Sequence, residues 1–340
     1  MKTNATSKPR RFARAIVSGL LSLALLTGLA AAPQAEAKPL TPRARNTGVV
    51  TAPDGYKVRY WEYGKNVRKA PTIFFTGTWP WHSGVFEPIV RFLGNKYHLV
   101  RYDARGFGES DHPYMFTEYG LDKLAAEFGA VVNRVLPKKK KFHVFGMEWG
   151  AFTFSEYNFL HPGRIVSFTS IGFPSIDIAE IQYRDALKSG TLEEKVDGTA
   201  FKVQALGSTM VANDLLIADL VLAGIIPIAN VGSSQSMGDF QADIAMEDAI
   251  LGRRTMMANM LQRQITPRYD FLDVPLLQVI ELESDPYPTE FALQGMHKYT
   301  NRLIYRKLDA IRTLLTTYPM TLANWTHVAV QAGERIKKTV

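Results

Sequence analysis

Glu148 is the residue whose surroundings promise chemistry. It lies in Phe142-His143-Val144-Phe145-Gly146-Met147-Glu148-Trp149-Gly150-Ala151, where two glycines flank a carboxylate between a strand-like and a helix-like run. In the pattern G-x-S-x-G the glycines let a strand turn sharply into a helix and push the middle side chain out to meet a reactant. A carboxylate there cannot do what a serine does. It can attack carbon, exchange a proton, or stand in a frame that has lost its chemistry. The sequence holds no cysteine, which excludes a thiol nucleophile, thiolate metal sites, disulfides and a lipid-modified cysteine. The available bases are then carboxylates and the 7 histidines, at positions 82, 98, 112, 143, 161, 297 and 327.

The elements around Glu148 read as strands alternating with helices. Residues 39–48 form an extended arm, and Val49 to Val58 reads as a hairpin turning at Ala52-Pro53-Asp54-Gly55. Pro71 to Thr76, His98 to Tyr102, Phe142 to Phe145 and Ile165 to Ile171 are short apolar runs expected of buried parallel strands. Helices are expected over Val85 to Leu93, over Leu121 to Val135 with Leu124, Phe128, Val131 and Val135 on one face, and over Trp149 to Leu160. Val274 to Ile280 and Tyr318 to Leu322 read as the last two strands. This order predicts an α/β fold with a mostly parallel sheet covered on both faces. Between the strands, residues 174–270 are mainly helical in propensity and rich in methionine, an insertion expected to lie over the sheet as a lid. Methionine-rich helices are usually core, though a few of these residues could line a pliable apolar pocket. The core is then 38–173 with 271–340.

Residues 1–37 carry Lys2, Lys8, Arg10, Arg11 and Arg14, an apolar stretch from Ala15 to Ala32, and Ala35-Glu36-Ala37 before Lys38. That is the layout of a cleavable signal peptide, and it predicts an exported protein with no membrane span after cleavage; the other reading is an uncleaved membrane anchor. Without this segment the formal charge falls from +8 to +4, since it holds five basic residues and one acidic. That balance does not call for nucleic acid. The Lys138-Lys139-Lys140-Lys141 run reads as a solvated turn, with contact to an anionic surface as its second reading. With 340 residues, 46% of them apolar, the chain has enough core to stand without disulfides.

Tyr102-Asp103-Ala104-Arg105-Gly106-Phe107-Gly108-Glu109-Ser110-Asp111 resembles the D-x-R-G-x-G-x-S loop of α/β-hydrolase-fold proteins, and the Gly146–Gly150 segment resembles their nucleophile elbow. The resemblance runs from about Val49 to the C-terminus and implies an eight-stranded sheet with a helical lid. Gly146, Glu148, Trp149, Gly150 and Ala151 are most similar to the G-x-D-W-G-A elbow of epoxide hydrolases and haloalkane dehalogenases, with glutamate for aspartate. In those enzymes the carboxylate attacks carbon to give an ester, and an acid-supported histidine activates the water that cleaves it. The resemblance assigns Glu148 as nucleophile. By the order nucleophile, acid, histidine it assigns Asp285 in Glu283-Ser284-Asp285-Pro286 and His327 in Trp325-Thr326-His327, with His297 as the other histidine to weigh. Thr76-Gly77-Thr78-Trp79-Pro80-Trp81 resembles the oxyanion loop, so the amides of Thr78 or Trp79 and of Trp149 are expected to hold developing negative charge. Tyr183 is the lid residue suited to protonate an opening ring, and Asp103, Arg105 and Ser110 are expected to brace their loop. No cofactor or metal is implied. The expected function is hydrolysis of a small apolar substrate, with a binding protein that keeps only the fold, or lyase-type acid/base chemistry at Glu148, as alternatives.

Overall fold

The computed structural model describes residues 43–213, 245–285, 290–310 and 314–339. The expected signal segment lies outside them. Eight strands form one sheet: β1 (Asn46–Thr51), β2 (Lys57–Gly64), β3 (Thr72–Thr76), β4 (His98–Tyr102), β5 (Phe142–Met147), β6 (Ile165–Ile171), β7 (Leu276–Leu282) and β8 (Leu303–Leu308). Their order across the sheet is β1-β2-β4-β3-β5-β6-β7-β8. β1 and β2 pair antiparallel, as do β2 and β4; from β4 to β8 all pairing is parallel.

Every residue of β3, β4, β5 and β6 is buried. Apolar side chains must therefore point to both faces, and helices cover both. On one side α1 (Glu87–Leu93) and the C-terminal helix close a core with Phe75, Phe86, Phe145, Ile280 and Val330. On the other, α2 (Leu121–Val135) and α3 (Trp149–Leu160) pack Phe128, Val131 and Phe154 against Phe74, Val144 and Phe168. The predicted apolar face of α2 is the buried one.

Between β6 and β7 come α4 (Ile176–Ser189), α5 (Leu192–Asn213), α6 (Met246–Gly252) and α7 (Arg254–Ile265). They are tied to the sheet domain by a buried ion cluster in which Arg263 of α7 meets Glu156 of α3 at 2.8 Å and Asp177 of α4 at 2.7 Å. The chain ends in α8 (Glu290–Gln294), α9 (Leu314–Thr317) and α10 (Pro319–Thr339). None of the described helices is long and apolar enough to cross a membrane.

Tyr318 to Leu322 is not the last strand: α10 begins at Pro319, a residue whose fixed φ and missing N–H suit a first helical position. Leu322, Ala323, Thr326, Ala329 and Val330 recur at helical spacing on its buried face. The last strand is instead Leu303–Leu308, an edge strand whose Tyr305-Arg306-Lys307 interior lacks the apolar run of a central strand.

Candidate active site

Glu148 follows directly on β5, at the carboxyl ends of the parallel strands, and is the residue at the N-terminal boundary of α3. Its backbone has φ 44°, in the left-handed region, and ψ −109°. Such a conformation costs a residue with a Cβ about 1–3 kcal/mol and persists only where its surroundings impose it. The flanking glycines show how. A Cβ on Gly146 would come within 2.6 Å of the Ala151 nitrogen, and one on Gly150 within 2.9 Å of the carbonyl oxygens of Thr76 and Gly77. Only hydrogen at both positions lets the turn close this tightly against the loop after β3. The elbow predicted from the sequence is present, with a half-buried carboxylate at its tip.

Thr78 organises that tip. Its buried hydroxyl donates to Glu148 Oε2 at 3.3 Å and accepts from the Trp149 backbone N–H at 3.4 Å. The Trp149 amide, expected to hold developing negative charge, is thus engaged by a neighbouring hydroxyl through a long bond that a better acceptor could displace. Trp79 donates its indole N–H to the Ala249 carbonyl of α6 at 2.8 Å, which fixes the inserted helices over the loop. Trp149 is buried with Leu121, Leu124, Phe152 and Ile176, and Trp79, Phe173, Met256 and Met260 pack on the same cluster. The cluster packed on Trp149, the residue after Glu148, is therefore apolar and aromatic and draws on the insertion through Met256 and Met260.

The remaining predicted residues divide. Asp285 comes three residues after the end of β7, at the same end of the sheet as Glu148. It lies two strands away, a lateral separation of about 10 Å. His327 lies elsewhere. It sits within α10, and its Nδ1 is 2.6 Å from the Tyr97 hydroxyl. Tyr97 immediately precedes β4, and the register Leu99–Ile73–His143 puts it level with residue 141 of the neighbouring chain segment. Seven residues of extended chain separate that level from Glu148, about 20 Å. His327 is at the opposite end of the sheet, where burial, and after it Lys96, lower its affinity for a proton. It is not positioned as the base, because the strand that should precede it is β8 and no histidine occurs from Asp309 to Tyr318. His297 is exposed and bonds to the Gln294 carbonyl. Tyr183 stands on α4 against Gly198 of α5, with Lys202 Nζ 5.6 Å from its ring centre.

At this end Asp309 and Asp248 carry no sequence signal, and His82 and His112, both among the candidate bases, hold loops. Asp309, the first residue after β8, accepts a hydrogen bond from Ser284 and joins the two loops expected to carry acid and base. Asp248 of α6 accepts from the Gly108 N–H at 2.9 Å and lies 3.1 Å from His112 Nε2. Burial pulls the His112 proton affinity down, but the Asp248 hydrogen bond and charge outweigh it, and the net shift is upward. His82 accepts from the Gly84 N–H at 3.0 Å and caps a short turn. No motif surrounds these residues; only the folded proximity of loop and insertion reveals them. The expected bracing is present too: Arg105 is held by Glu127 at 2.7 Å and Asp54 at 2.6 Å, Asp103 accepts from the Ser83 and Glu109 amides, and Ser110 donates to the Asp103 carbonyl. Among the described residues there is no cluster of side chains suited to a metal ion.

Sheet order and elbow together give the chain the α/β-hydrolase fold. The family model described as "alpha/beta hydrolase fold" matches residues 71–217. Among curated proteins, the Mycobacterium tuberculosis protein named "Probable oxidoreductase EphD" is 25% identical over 299 residues, covering 82% of this chain and 48% of that protein. The chain thus spans about half the length of the curated relative it matches over most of its own length. Epoxide hydrolase A of the same organism is 25% identical over 93 residues, 27% of this chain and 28% of that one. Among solved structures, an epoxide hydrolase from Bacillus megaterium bound to its diol product has a TM-score of 0.60 at 13% identity, covering 84% of this chain and 100% of its own. Epoxide hydrolase VrEH1 from Vigna radiata has a TM-score of 0.64 at 13% identity, covering 84% and 98%.

Proposed function

We propose that this chain is an exported, epoxide-hydrolase-like enzyme in which Glu148 is the acting carboxylate, working as a general base on water and not as a nucleophile. The observation that carries the reading is the elbow itself: a strained backbone presents a half-buried glutamate beside the Thr78 hydroxyl, next to a Trp149 packed in an aromatic cluster. A carboxylate nucleophile needs a second step, in which a histidine activates water against the ester. With His327 bonded to Tyr97 at the far end of the sheet, that step has no base of the expected kind. A one-step route needs only Glu148. It takes a proton from water, the water oxygen forms a bond to a ring carbon of a small apolar epoxide, the carbon–oxygen bond of the ring breaks, and the alkoxide regains a proton from the carboxylic acid or from solvent. The apolar residues packed on Trp149 beside the elbow favour a substrate without charge.

A second reading, binding of a small apolar molecule without turnover, is favoured by one specific observation: the Trp149 amide is already engaged by Thr78. Single-turnover reaction of an epoxide panel in oxygen-18 water separates the three outcomes. Label in the first diol formed supports the general base. Unlabelled diol, or a trapped ester on Glu148 in the mass spectrum, supports the nucleophile. Ligand binding with no diol supports the non-catalytic protein. Export predicts a mature N-terminus at Lys38, which N-terminal sequencing of the secreted chain tests.

A further inference from the structure

The loops that enter four of the six parallel strands share a property foreign to the elbow. They are residues 64–71 before β3, 94–97 before β4, 136–141 before β5 and 161–164 before β6, all at the amino ends of those strands. Together they hold nine lysines and arginines and no aspartate or glutamate. Since residues 38–340 carry +4 in all, the remainder of that span is at −5. Lys65, Arg68, Lys69, Lys96, Lys138, Lys139 and Lys141 are exposed.

The loops are pinned to one another. Lys140 donates to the carbonyl oxygens of Val67 and Ala70, the Arg164 guanidinium donates to the Lys140 carbonyl at 3.3 Å, and the Lys65 N–H donates to the Tyr97 carbonyl at 2.8 Å. The cations therefore stand on one fixed platform and not on independent tails. Helix carboxyl ends at this side attract some positive charge, but that effect fades within a turn and does not call for seven exposed basic side chains on adjacent loops. The platform also exposes two large apolar side chains, Phe92 next to the end of α1 and Leu160 at the end of α3.

From this juxtaposition we propose that the amino end of the sheet is a docking surface for an anionic lipid bilayer, with the lysines on lipid phosphates and with Phe92 and Leu160 entering the headgroup layer. Basic side chains draw a protein to anionic lipid, and adjacent apolar side chains hold it at the interface. A phosphate polymer such as DNA would use the cations but gains nothing from Leu160, which favours the bilayer. Docking here points the Glu148 end of the sheet away from the membrane.

The test is co-sedimentation of the full chain with vesicles of phosphatidylglycerol mixed with phosphatidylcholine, and with phosphatidylcholine alone. The N-terminal basic residues remain in every protein compared, so the reading is the change between variants. Lys138→Glu, Lys139→Glu and Lys141→Glu together should lower affinity for the anionic vesicles by about tenfold or more, leave binding to neutral vesicles unchanged, and preserve the thermal midpoint. Phe92→Ser with Leu160→Ser should weaken anionic-vesicle binding and leave retention on duplex DNA untouched. Anionic-vesicle binding that survives the triple charge reversal would overturn the proposal. So would DNA that binds more tightly than the vesicles and displaces them.

Discussion

At the amino ends of the strands, three histidines are locked into pairs: His98 with Glu62 at 2.9 Å, His143 with Glu334 at 3.2 Å and Ser167 at 2.7 Å, and His327 with Tyr97 at 2.6 Å. At the carboxyl ends, Glu148 stands on a strained elbow, and the two histidines nearby, His82 and His112, hold loops. Hydroxyl–histidine–carboxylate contacts of the kind expected at a reacting centre occur in this protein, but at the wrong end. Ser167, His143 and Glu334 form a line, yet Ser167 and His143 are buried within adjacent strands, with no turn to present a nucleophile and no amide pair to receive charge. Residue types alone do not make a site. The end of the sheet at which they emerge decides what they can do.

The largest effect that would sharpen this contrast is at Glu148. Glu148→Gln should lower diol formation by at least about a hundredfold, as loss of a general base does, while ligand binding measured by calorimetry persists. Glu148→Asp retracts the oxygens by about 1.5 Å and should cost on the order of a hundredfold as well, by misplacement. Undiminished turnover in both variants would move the chemistry away from the elbow. Next in size, His143→Ala strips buried partners from Ser167 and Glu334 and should destabilise by about 1–3 kcal/mol in urea unfolding with no change in rate per folded molecule.

A smaller effect belongs to the His112–Asp248 pair joining the Gly106–His112 loop to α6. The His112 proton affinity is raised in the fold, so its stabilisation is complete below the ordinary histidine value near 6.5 and is lost as pH rises through the higher folded value. The thermal midpoint should therefore fall between neutral and alkaline pH in the wild type and less so in Asp248→Asn; identical profiles would remove the pair from the account. The smallest effect is at His327. His327→Ala should lower stability by about 1 kcal/mol and leave catalysis unaltered. A large loss of activity there would break the comparison, because it would bring the two ends of the sheet together chemically.

What could be read without coordinates follows from local constraint. The elbow, the bracing loop and four buried strands were legible because each is written in consecutive residues: glycines around Glu148, apolar runs at Thr72–Thr76 and Phe142–Met147. The strand expected before His327 was misassigned because its position depends on counting strands. An edge strand such as Leu303–Leu308, polar on its open side, resembles a loop more than Tyr318 to Leu322 does. The Asp248, Asp309 and Arg263 contacts were invisible because each joins segments far apart in the chain. Arg263 lies 107 residues from its partner Glu156, and no local pattern marks a charge as destined for burial.

The left-handed backbone at Glu148 has a consequence for how this protein would drift. Glycine is the one residue that adopts φ 44° without a steric penalty, so Glu148→Gly should relieve strain and raise the melting temperature. A chain under no demand for that side chain has an uphill reason to keep it and a downhill path to lose it. Melting temperature and activity moving in opposite directions at this one position would mark the carboxylate as something the protein retains at the expense of its own stability.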